Sequence, residues 1–204
     1  MNVLWQCPAD AVAALVLAHG AGAGMAHASM QAIADACERQ AIATLRFNFP
    51  FIDAGRNRTD ALPVATATIA DAFAEAKKRT SLPIWLGGHS FGGRMASHAV
   101  LDQDIDPQGL VFCSFPLHMP DKPSRSRADH LSSIRLPMLF LSGTRDALAE
   151  RDLLKSVVSE LPTAELHWLE TADHGYRVLK RTRTNPENVF DEMARTAREF
   201  MENH

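Results

Sequence analysis

Residues 84–96 read IWLGGHSFGGRMA, and this stretch decides the fold. The apolar run Ile84–Leu86 is typical of a buried strand, and it leads into a Gly-x-Ser-x-Gly turn centred on Ser90, after which a helix is expected. A serine on such a sharp strand-to-helix turn has a strained backbone that pushes its hydroxyl out of the sheet. Gly88 and Gly92 are required there because the turn brings backbones too close for side chains. Since the helix N-terminus also favours developing negative charge, Ser90 is predicted to be a nucleophile.

Short apolar runs recur along the chain, with helix-patterned segments between them. The runs are Ala11–Ala18, Ala43–Phe47, Ile84–Leu86, Leu110–Phe115, Met138–Leu141 and Glu165–Leu169. Such runs are typical of strands buried on both faces, and Met1–Trp5 is a candidate edge strand. Apolar residues at helical spacing predict helices near 30–37, 153–161 and 189–201. The alternation predicts an α/β fold, a three-layer α/β/α sandwich with a mostly parallel, doubly wound sheet, in one domain over residues 1–204.

The composition is that of a globular protein. Of the 204 residues 46% are apolar and 22% are charged, and the net charge is −3, which excludes a disordered chain and gives no general attraction to nucleic acid. The longest apolar run, Ala11–Ala18, is far shorter than the ~20 residues that span a bilayer. Cys7, Cys37 and Cys113 form no CxxC pair, so neither disulfides nor a metal site is indicated. Residues 1–5 lack the basic start of a signal peptide, so we expect a cytoplasmic protein. From the net charge and the short apolar runs we expect neither nucleic-acid nor membrane partners.

An acid and a base follow the candidate nucleophile in the order Ser, Asp, His, which is typical of strand-turn-helix serine nucleophiles. Asp146 lies just beyond one predicted strand and His174 just beyond the next, at the edge where Ser90 emerges. These two are predicted to be the catalytic acid and base. Asp173 competes as the acid, but it is badly placed to reach the ring of its neighbour and is equally suited to cap a turn. His89, inside the turn, is expected to point away from the chemistry.

A glycine-rich segment, LAHGAGAG at 17–24, follows the first long strand. Small residues let backbone N–H groups approach a substrate oxygen, so the amides of Ala21 and Phe91 are predicted to form an oxyanion hole. The competing interpretation is a dinucleotide-binding turn. The spacing is not GxGxxG, however, and no acidic residue ends a second strand about 20 residues later.

With these residues in place, the chain resembles an α/β hydrolase of the small lidless branch called KANSL/TEX-type α/β-hydrolase-like proteins, close to dienelactone hydrolases. The matching motifs are HGAG at 19–22, RFNFPF at 46–51, GGHSFGGR at 87–94, FPLH at 115–118, Lys122-Pro123, His130-Leu131, Gly143-x-x-Asp146 and Asp173-His174. The resemblance implies a fold without a cap domain. It also singles out Arg46, Asn48 and Arg94, which either contact substrate or tie the crevice loops together, and His118 is a further substrate-binding candidate. One relative is a subunit of a chromatin acetyltransferase complex, so some members of the branch serve as scaffolds.

The four predicted crevice loops, at 48–60, 115–135, 143–150 and 171–185, are richer in basic than in acidic residues. They hold eleven Lys or Arg and seven Asp or Glu, a net charge of +4, which leaves −7 for the remainder. One interpretation is a positive field over the site that favours an anionic acyl or alcohol portion. The other is an ordinary solvated loop surface.

These features together predict a serine hydrolase that cleaves a small carboxylic ester or thioester through an acyl-enzyme, without metal or organic cofactor. The short loop 115–135 in place of a cap implies an open crevice and short-chain substrates. Two alternatives stay open, a serine peptidase of the same fold and a non-catalytic protein-interaction module. A second copy of the chain is a candidate partner.

Overall fold

The computed structural model describes residues 1–204, and it contains seven strands and six α-helices. The strands are β1 (Val3–Gln6), β2 (Ala13–Ala18), β3 (Ile42–Phe47), β4 (Ile84–His89), β5 (Leu110–Cys113), β6 (Met138–Gly143) and β7 (Ala164–Leu169). The α-helices are α1 (Ala28–Arg39), α2 (Pro50–Asp53), α3 (Leu62–Arg79), α4 (Phe91–Asp102), α5 (Arg151–Ser159) and α6 (Val189–Asn203), and a 3-10 helix spans Ser126–Ser133.

All seven strands form one sheet in the order β1-β3-β2-β4-β5-β6-β7. Every pair is parallel except β1 with β3, so the predicted edge strand is present and antiparallel. Apolar side chains cover both faces in two separate core clusters, one beneath α3, α4 and α5 and one beneath α1 and α6. This three-layer arrangement confirms the predicted fold class and explains why the central strands are largely apolar.

The segments predicted to lie over the site follow the carboxyl ends of β3, β5, β6 and β7. Since these strands are parallel, their carboxyl ends meet at one edge of the sheet, which is where open α/β sheets bind ligands. The segment between β3 and α3 contains only the short helix α2, and the segment between β5 and β6 contains only the 3-10 helix. No cap domain is inserted. None of the helices combines the length and apolar character that a membrane span requires.

Candidate active site

Ser90 stands between the last residue of β4 and the first residue of α4, with φ 52° and ψ −115°. A positive φ costs a non-glycine residue about 1–3 kcal/mol, so the surrounding packing must impose it. That packing is visible at the flanking glycines. A β-carbon on Gly88 would lie 2.2 Å, and one on Gly92 2.4 Å, from the carbonyl oxygen of Ala18 at the end of β2. Both glycines are therefore fixed by the approach of a neighbouring strand, and they leave Ser90 at the tip of the turn.

Ser90, His174 and Asp146 form one hydrogen-bonded line. His174 Nε2 lies 2.8 Å from Ser90 Oγ, and His174 Nδ1 lies 2.9 and 2.8 Å from the two carboxylate oxygens of Asp146. Because Nδ1 faces only acceptors, it carries the ring proton, which leaves Nε2 to accept from the serine hydroxyl. The Asp146 side chain is fully buried and also accepts from the Leu148 amide at 2.8 Å, whereas 23% of the His174 side chain is exposed. The structure thus brings together the three side chains that the sequence singled out.

The loops that carry the acid and the base are joined to one another directly beyond the sheet. The amides of Thr144 and Arg145 donate to the carbonyls of Leu169 and Ala172 at 3.1 and 2.9 Å. The Thr171 amide returns a bond to the Thr144 hydroxyl at 2.8 Å. These bonds fix the position of the β6 loop relative to the β7 loop, so the geometry between Asp146 and His174 does not depend on side-chain packing alone.

Asp173, the competing acid, has a different role. Its Oδ1 accepts from the amides of Gly175 and Arg177, each at 2.9 Å, and it makes no bond to the ring of His174. The carboxylate therefore caps the turn that follows His174, as expected for an Asp that hydrogen-bonds its own downstream backbone.

The prediction for His89 is wrong. Its Nε2–H donates to the carbonyl of His174 at 2.9 Å, and the two rings lie 5.2 Å apart. Burial lowers the pKa of His89, so the ring is neutral and serves as a fixed donor. His89 therefore holds the backbone of the candidate base, a role that sequence gives no sign of because the partner lies on a distant loop.

The two amides predicted to form an oxyanion hole have no hydrogen-bond acceptor within the chain. The Phe91 amide opens α4 and has no preceding turn to bond to, and the Ala21 amide projects from the loop after β2. A β-carbon on Gly20 would lie 3.7 Å from Ser90 Cβ, so this loop runs directly beside the serine. Both donors are thus available to a substrate oxygen, as the oxyanion-hole prediction requires.

His19 orders the glycine-rich loop, a role that the sequence pattern does not indicate. It is fully buried, and burial lowers the pKa of its ring, so the imidazole is neutral. Its Nε2 accepts from the Phe49 amide at 3.0 Å, so its Nδ1–H donates to the carbonyl of Gly20 at 2.7 Å. One side chain therefore connects the loop after β2 to the loop after β3. The only sequence signal was a polar residue at the end of an apolar run.

Arg46 and Asn48 extend the same connection. Arg46 is buried and donates to the Met25 carbonyl at 3.2 Å and to Gln31 Oε1 at 2.8 Å. Asn48 accepts from the Met25 amide at 2.8 Å and donates to Asp53 at 2.7 Å. Of the two interpretations that the sequence left open for these residues, the contacts favour the link between loops over substrate binding.

His118 is also a link rather than a free group in the crevice. The side chain is buried, its Nε2 accepts from the Glu150 amide at 3.1 Å, and its Nδ1–H donates to the Met119 carbonyl at 2.8 Å. These contacts fasten the segment between β5 and β6 to the loop that carries Asp146. The side chains of Arg46, Asn48 and His118 thus all form hydrogen bonds between loops, which favours a linking role over substrate binding.

Residues 11–202 match the protein family described as alpha/beta hydrolase domain, which is nearly the whole chain. The chain belongs to the α/β-hydrolase family. Membership accounts for the strand order and for the serine on the turn after β4.

Solved structures agree with this α/β hydrolase over almost its full length. Est1E from Butyrivibrio proteoclasticus, solved with ferulic acid bound, gives a TM-score of 0.74 at 15% identity over 99% of this chain and 94% of that one. A dienelactone hydrolase from Anabaena variabilis gives a TM-score of 0.74 at 17% identity, over 99% of this chain and 91% of that one. XC6422 from Xanthomonas campestris is described as a serine hydrolase without lid. It gives a TM-score of 0.72 at 18% identity, over 98% of this chain and 88% of that one. At such identities the likeness establishes the fold, and the substrate has to be argued from the site.

Proposed function

We propose that this α/β hydrolase is a serine hydrolase that cleaves a small carboxylic ester or thioester. The observation that carries the proposal is the line from Ser90 Oγ through both ring nitrogens of His174 to the buried carboxylate of Asp146, with 2.8 Å at each link. A nucleophile, a base and a group that orients the base are the parts that acyl transfer needs.

The proposed reaction has two halves. His174 Nε2 accepts the hydroxyl proton as Ser90 Oγ attacks the carbonyl carbon, and the amides of Ala21 and Phe91 donate to the oxyanion that forms. The imidazolium, stabilised by Asp146, then gives its proton to the leaving alcohol or thiol as the bond breaks. Water, deprotonated by His174, attacks the acyl carbon. As the bond to Ser90 Oγ breaks and the acid leaves, the imidazolium returns its proton to Oγ, which restores Ser90 to its starting state.

The crevice is expected to select short acyl chains because no cap domain encloses it. We therefore expect kcat/KM for p-nitrophenyl esters to level off by butyrate. Methylenes beyond that length remain in water, so they add none of the about 0.8 kcal/mol each that burial would contribute. A steady rise of kcat/KM with chain length would contradict an open, short-chain site. Hydrolysis of peptide amides faster than esters would favour the serine peptidase instead.

Arg94 lies one helical turn along α4 from the nucleophile, and Arg127 of the 3-10 helix carries a second positive charge in its neighbourhood. The Arg94 amide donates to the Ser90 carbonyl at 3.1 Å, so Arg94 belongs to the first turn of α4. Side chains of a helix tilt toward its N-terminus, which in α4 is the end at the crevice. Its half-buried guanidinium forms no ion pair, and its buried Nε has no hydrogen-bond partner. Arg127, also without an ion pair, donates to the His118 carbonyl at 3.3 Å.

The field in this region is positive. Burial lowers the pKa of Arg94, and the nearby charge of Arg127 lowers it further. His130 stacks on His98 with 3.7 Å between ring centroids, and burial, His98 and Arg94 together lower the pKa of His130 to about 4. Both arginines lack a carboxylate partner, so an anionic group on the substrate that reached them would find two uncompensated charges. We propose that the preferred esters carry a carboxylate in the acyl or alcohol portion.

This preference is measurable with two esters of equal length, one ending in a carboxylate and one neutral. At low ionic strength we expect kcat/KM to favour the charged ester about fivefold, since a partly exposed charge contact contributes about 1 kcal/mol. Arg94→Gln should abolish the difference through KM while leaving the neutral ester unaffected. Arg181→Gln, an exposed arginine of the loop after β7, is the control. Equal turnover of both esters by the wild type at low salt would refute the anionic preference while leaving the hydrolase proposal intact.

A further inference from the structure

The strand β7 is an open edge of the sheet. It is the last strand in the sheet order and pairs only with β6. Beside it, between β7 and α5, runs a groove of about 530 Å³ lined by Ala164, Leu166 and Trp168 of the strand. The opposite edge strand, β1, has only four residues and is followed closely by Pro8, which limits how far another strand could pair with it. Free edges of this kind are templates for a further strand.

The register identifies which backbone groups of β7 face outward. The Met138 amide donates to the Thr163 carbonyl at 2.9 Å, and the Thr144 amide donates to the Leu169 carbonyl at 3.1 Å. Because alternate residues of a parallel strand bond to the same neighbour, the odd-numbered residues 163–169 bond toward β6. The N–H and C=O groups of Leu166 and Trp168 and the carbonyl of Ala164 therefore face away from the sheet.

We propose that β7 pairs antiparallel with β7 of a second copy of this chain, with Leu166 of both copies on the two-fold axis. In this register Leu166 faces Leu166 and Ala164 faces Trp168. The two Leu166 residues exchange both of their hydrogen bonds, and the Trp168 amide of each copy donates to the Ala164 carbonyl of the other. The intervening residues also match, since Glu165 of each copy stands opposite His167 of the other.

Charge distinguishes this register from its neighbours. A shift of the pairing in one direction would place Glu165 opposite itself, and a shift in the other would place it opposite Leu169. Like charges directly opposite are destabilising, so the first shift is disfavoured, and the second would bring an exposed carboxylate against an apolar side chain. Glu165 is exposed and makes no hydrogen bond, and the Nδ1 of His167 has no partner within the chain, since this ring bonds only through Nε2, to Glu192 at 2.9 Å.

The side chains that line the groove would be buried on the α5 side of the paired strands. Ala164, Leu166 and Trp168 are half-exposed on the same side of β7, and they pack against the core beneath α5. In the proposed register the large indole of Trp168 lies over the small Ala164 of the second copy, at both ends of the pair. Arg151 lies 5.5 Å from the Trp168 ring and flanks this contact.

The proposed dimer leaves the candidate active sites open. His174 follows the carboxyl end of β7, and in an antiparallel pair the two carboxyl ends point in opposite directions. Each crevice is thus complete within one chain, so a monomeric variant should hydrolyse esters as fast as the dimer. Dimerisation and catalysis can therefore fail independently.

Sedimentation velocity tests the proposal. At about 50 µM the wild type is expected to sediment as two 22.4 kDa chains, since edge pairing with a small apolar face typically gives dissociation constants in the micromolar range. Leu166→Lys, whose long stem still covers the groove, places two like charges on the axis and should weaken the dimer at least a hundredfold. Glu165→Lys, at an exposed position that cannot disturb the core, should weaken it about tenfold. Asp104→Lys, with the same change in net charge on an exposed loop, should have no effect.

Hydrogen exchange gives a second readout at the level of single residues. The amides of Leu166 and Trp168 should become protected as protein concentration rises through the dissociation constant, while the amides of Glu165 and His167, already bonded to β6, should not change. A wild type that stays monomeric at about 100 µM would overturn the proposal. So would a dimer that persists equally in Leu166→Lys and Glu165→Lys, or one that Asp104→Lys weakens as much as Glu165→Lys does.

Discussion

Replacement of Ser90 by Ala is expected to lower kcat for a short-chain ester by at least about 10⁴-fold. The hydroxyl is the group that forms the acyl-enzyme in the proposed mechanism, and neither His174 nor Asp146 can replace it. The fold should be unaffected, because the only side-chain hydrogen bond that Ser90 makes is the one to His174 Nε2. The melting temperature should therefore stay within about 2 °C of the wild type. Initial rates with p-nitrophenyl acetate and a thermal melt measure both quantities.

Ser29 provides the matched control. Its hydroxyl also lies 2.8 Å from a histidine nitrogen, His27 Nδ1, but no carboxylate stands behind that ring. Ser29→Ala should keep full activity. If Ser90→Ala retained more than about a tenth of the wild-type rate, the hydrolysis would have to arise elsewhere, and Ser90 would not be the nucleophile.

Asp146→Asn is expected to lower kcat by about 10⁴-fold while leaving KM nearly unchanged. In the wild type the carboxylate compels Nδ1 of His174 to carry the proton. An amide NH₂ in its place would donate to Nδ1 and move the proton to Nε2, where it blocks acceptance from Ser90. The shape of the side chain is preserved and the amide oxygen can still accept from Leu148, so the loss would come from the tautomer and not from a displaced loop. Steady-state kinetics near pH 7.5, with circular dichroism to verify folding, gives the answer.

Asp173→Asn is the control for this change because it alters the adjacent carboxylate. Asp173 accepts from two backbone amides, and the oxygen of Asn can do the same, so the turn should survive and kcat should change less than about threefold. An Asp173→Asn variant as impaired as Asp146→Asn would show that the acid has been assigned to the wrong residue.

The sequence predicted the parts that depend on local pattern. Buried parallel strands are largely apolar, so most of the runs that form β2 to β7 are recognisable, and the glycines around Ser90 identify the turn without knowledge of its neighbours. Chain order then points to Asp146 and His174, since each follows a strand whose end reaches the same edge of the sheet. The alignment of the three side chains depends on the sheet register, which no local pattern encodes.

Other features escaped because their causes are not local. Helix α3 was not singled out, since the buried face of this longest helix consists mostly of Ala and Thr, which give little apolar contrast. His19 and His89 contact loops that lie far away in the sequence, and no spacing of residues predicts such contacts. For Arg46, Asn48 and His118, only the hydrogen-bond partners in the structure distinguish a link between loops from a group that holds substrate.

The most direct test of the central claim, an activated Ser90, is covalent labelling with a fluorophosphonate. This probe reacts with serine hydroxyls that a neighbouring base deprotonates, and mass spectrometry locates the adduct regardless of the natural substrate. We expect one adduct on Ser90 in the wild type, none in Ser90→Ala, and strongly slowed labelling in His174→Ala. A folded wild type that remains unlabelled, or that is labelled at another serine, would contradict the account and favour the non-catalytic interaction module.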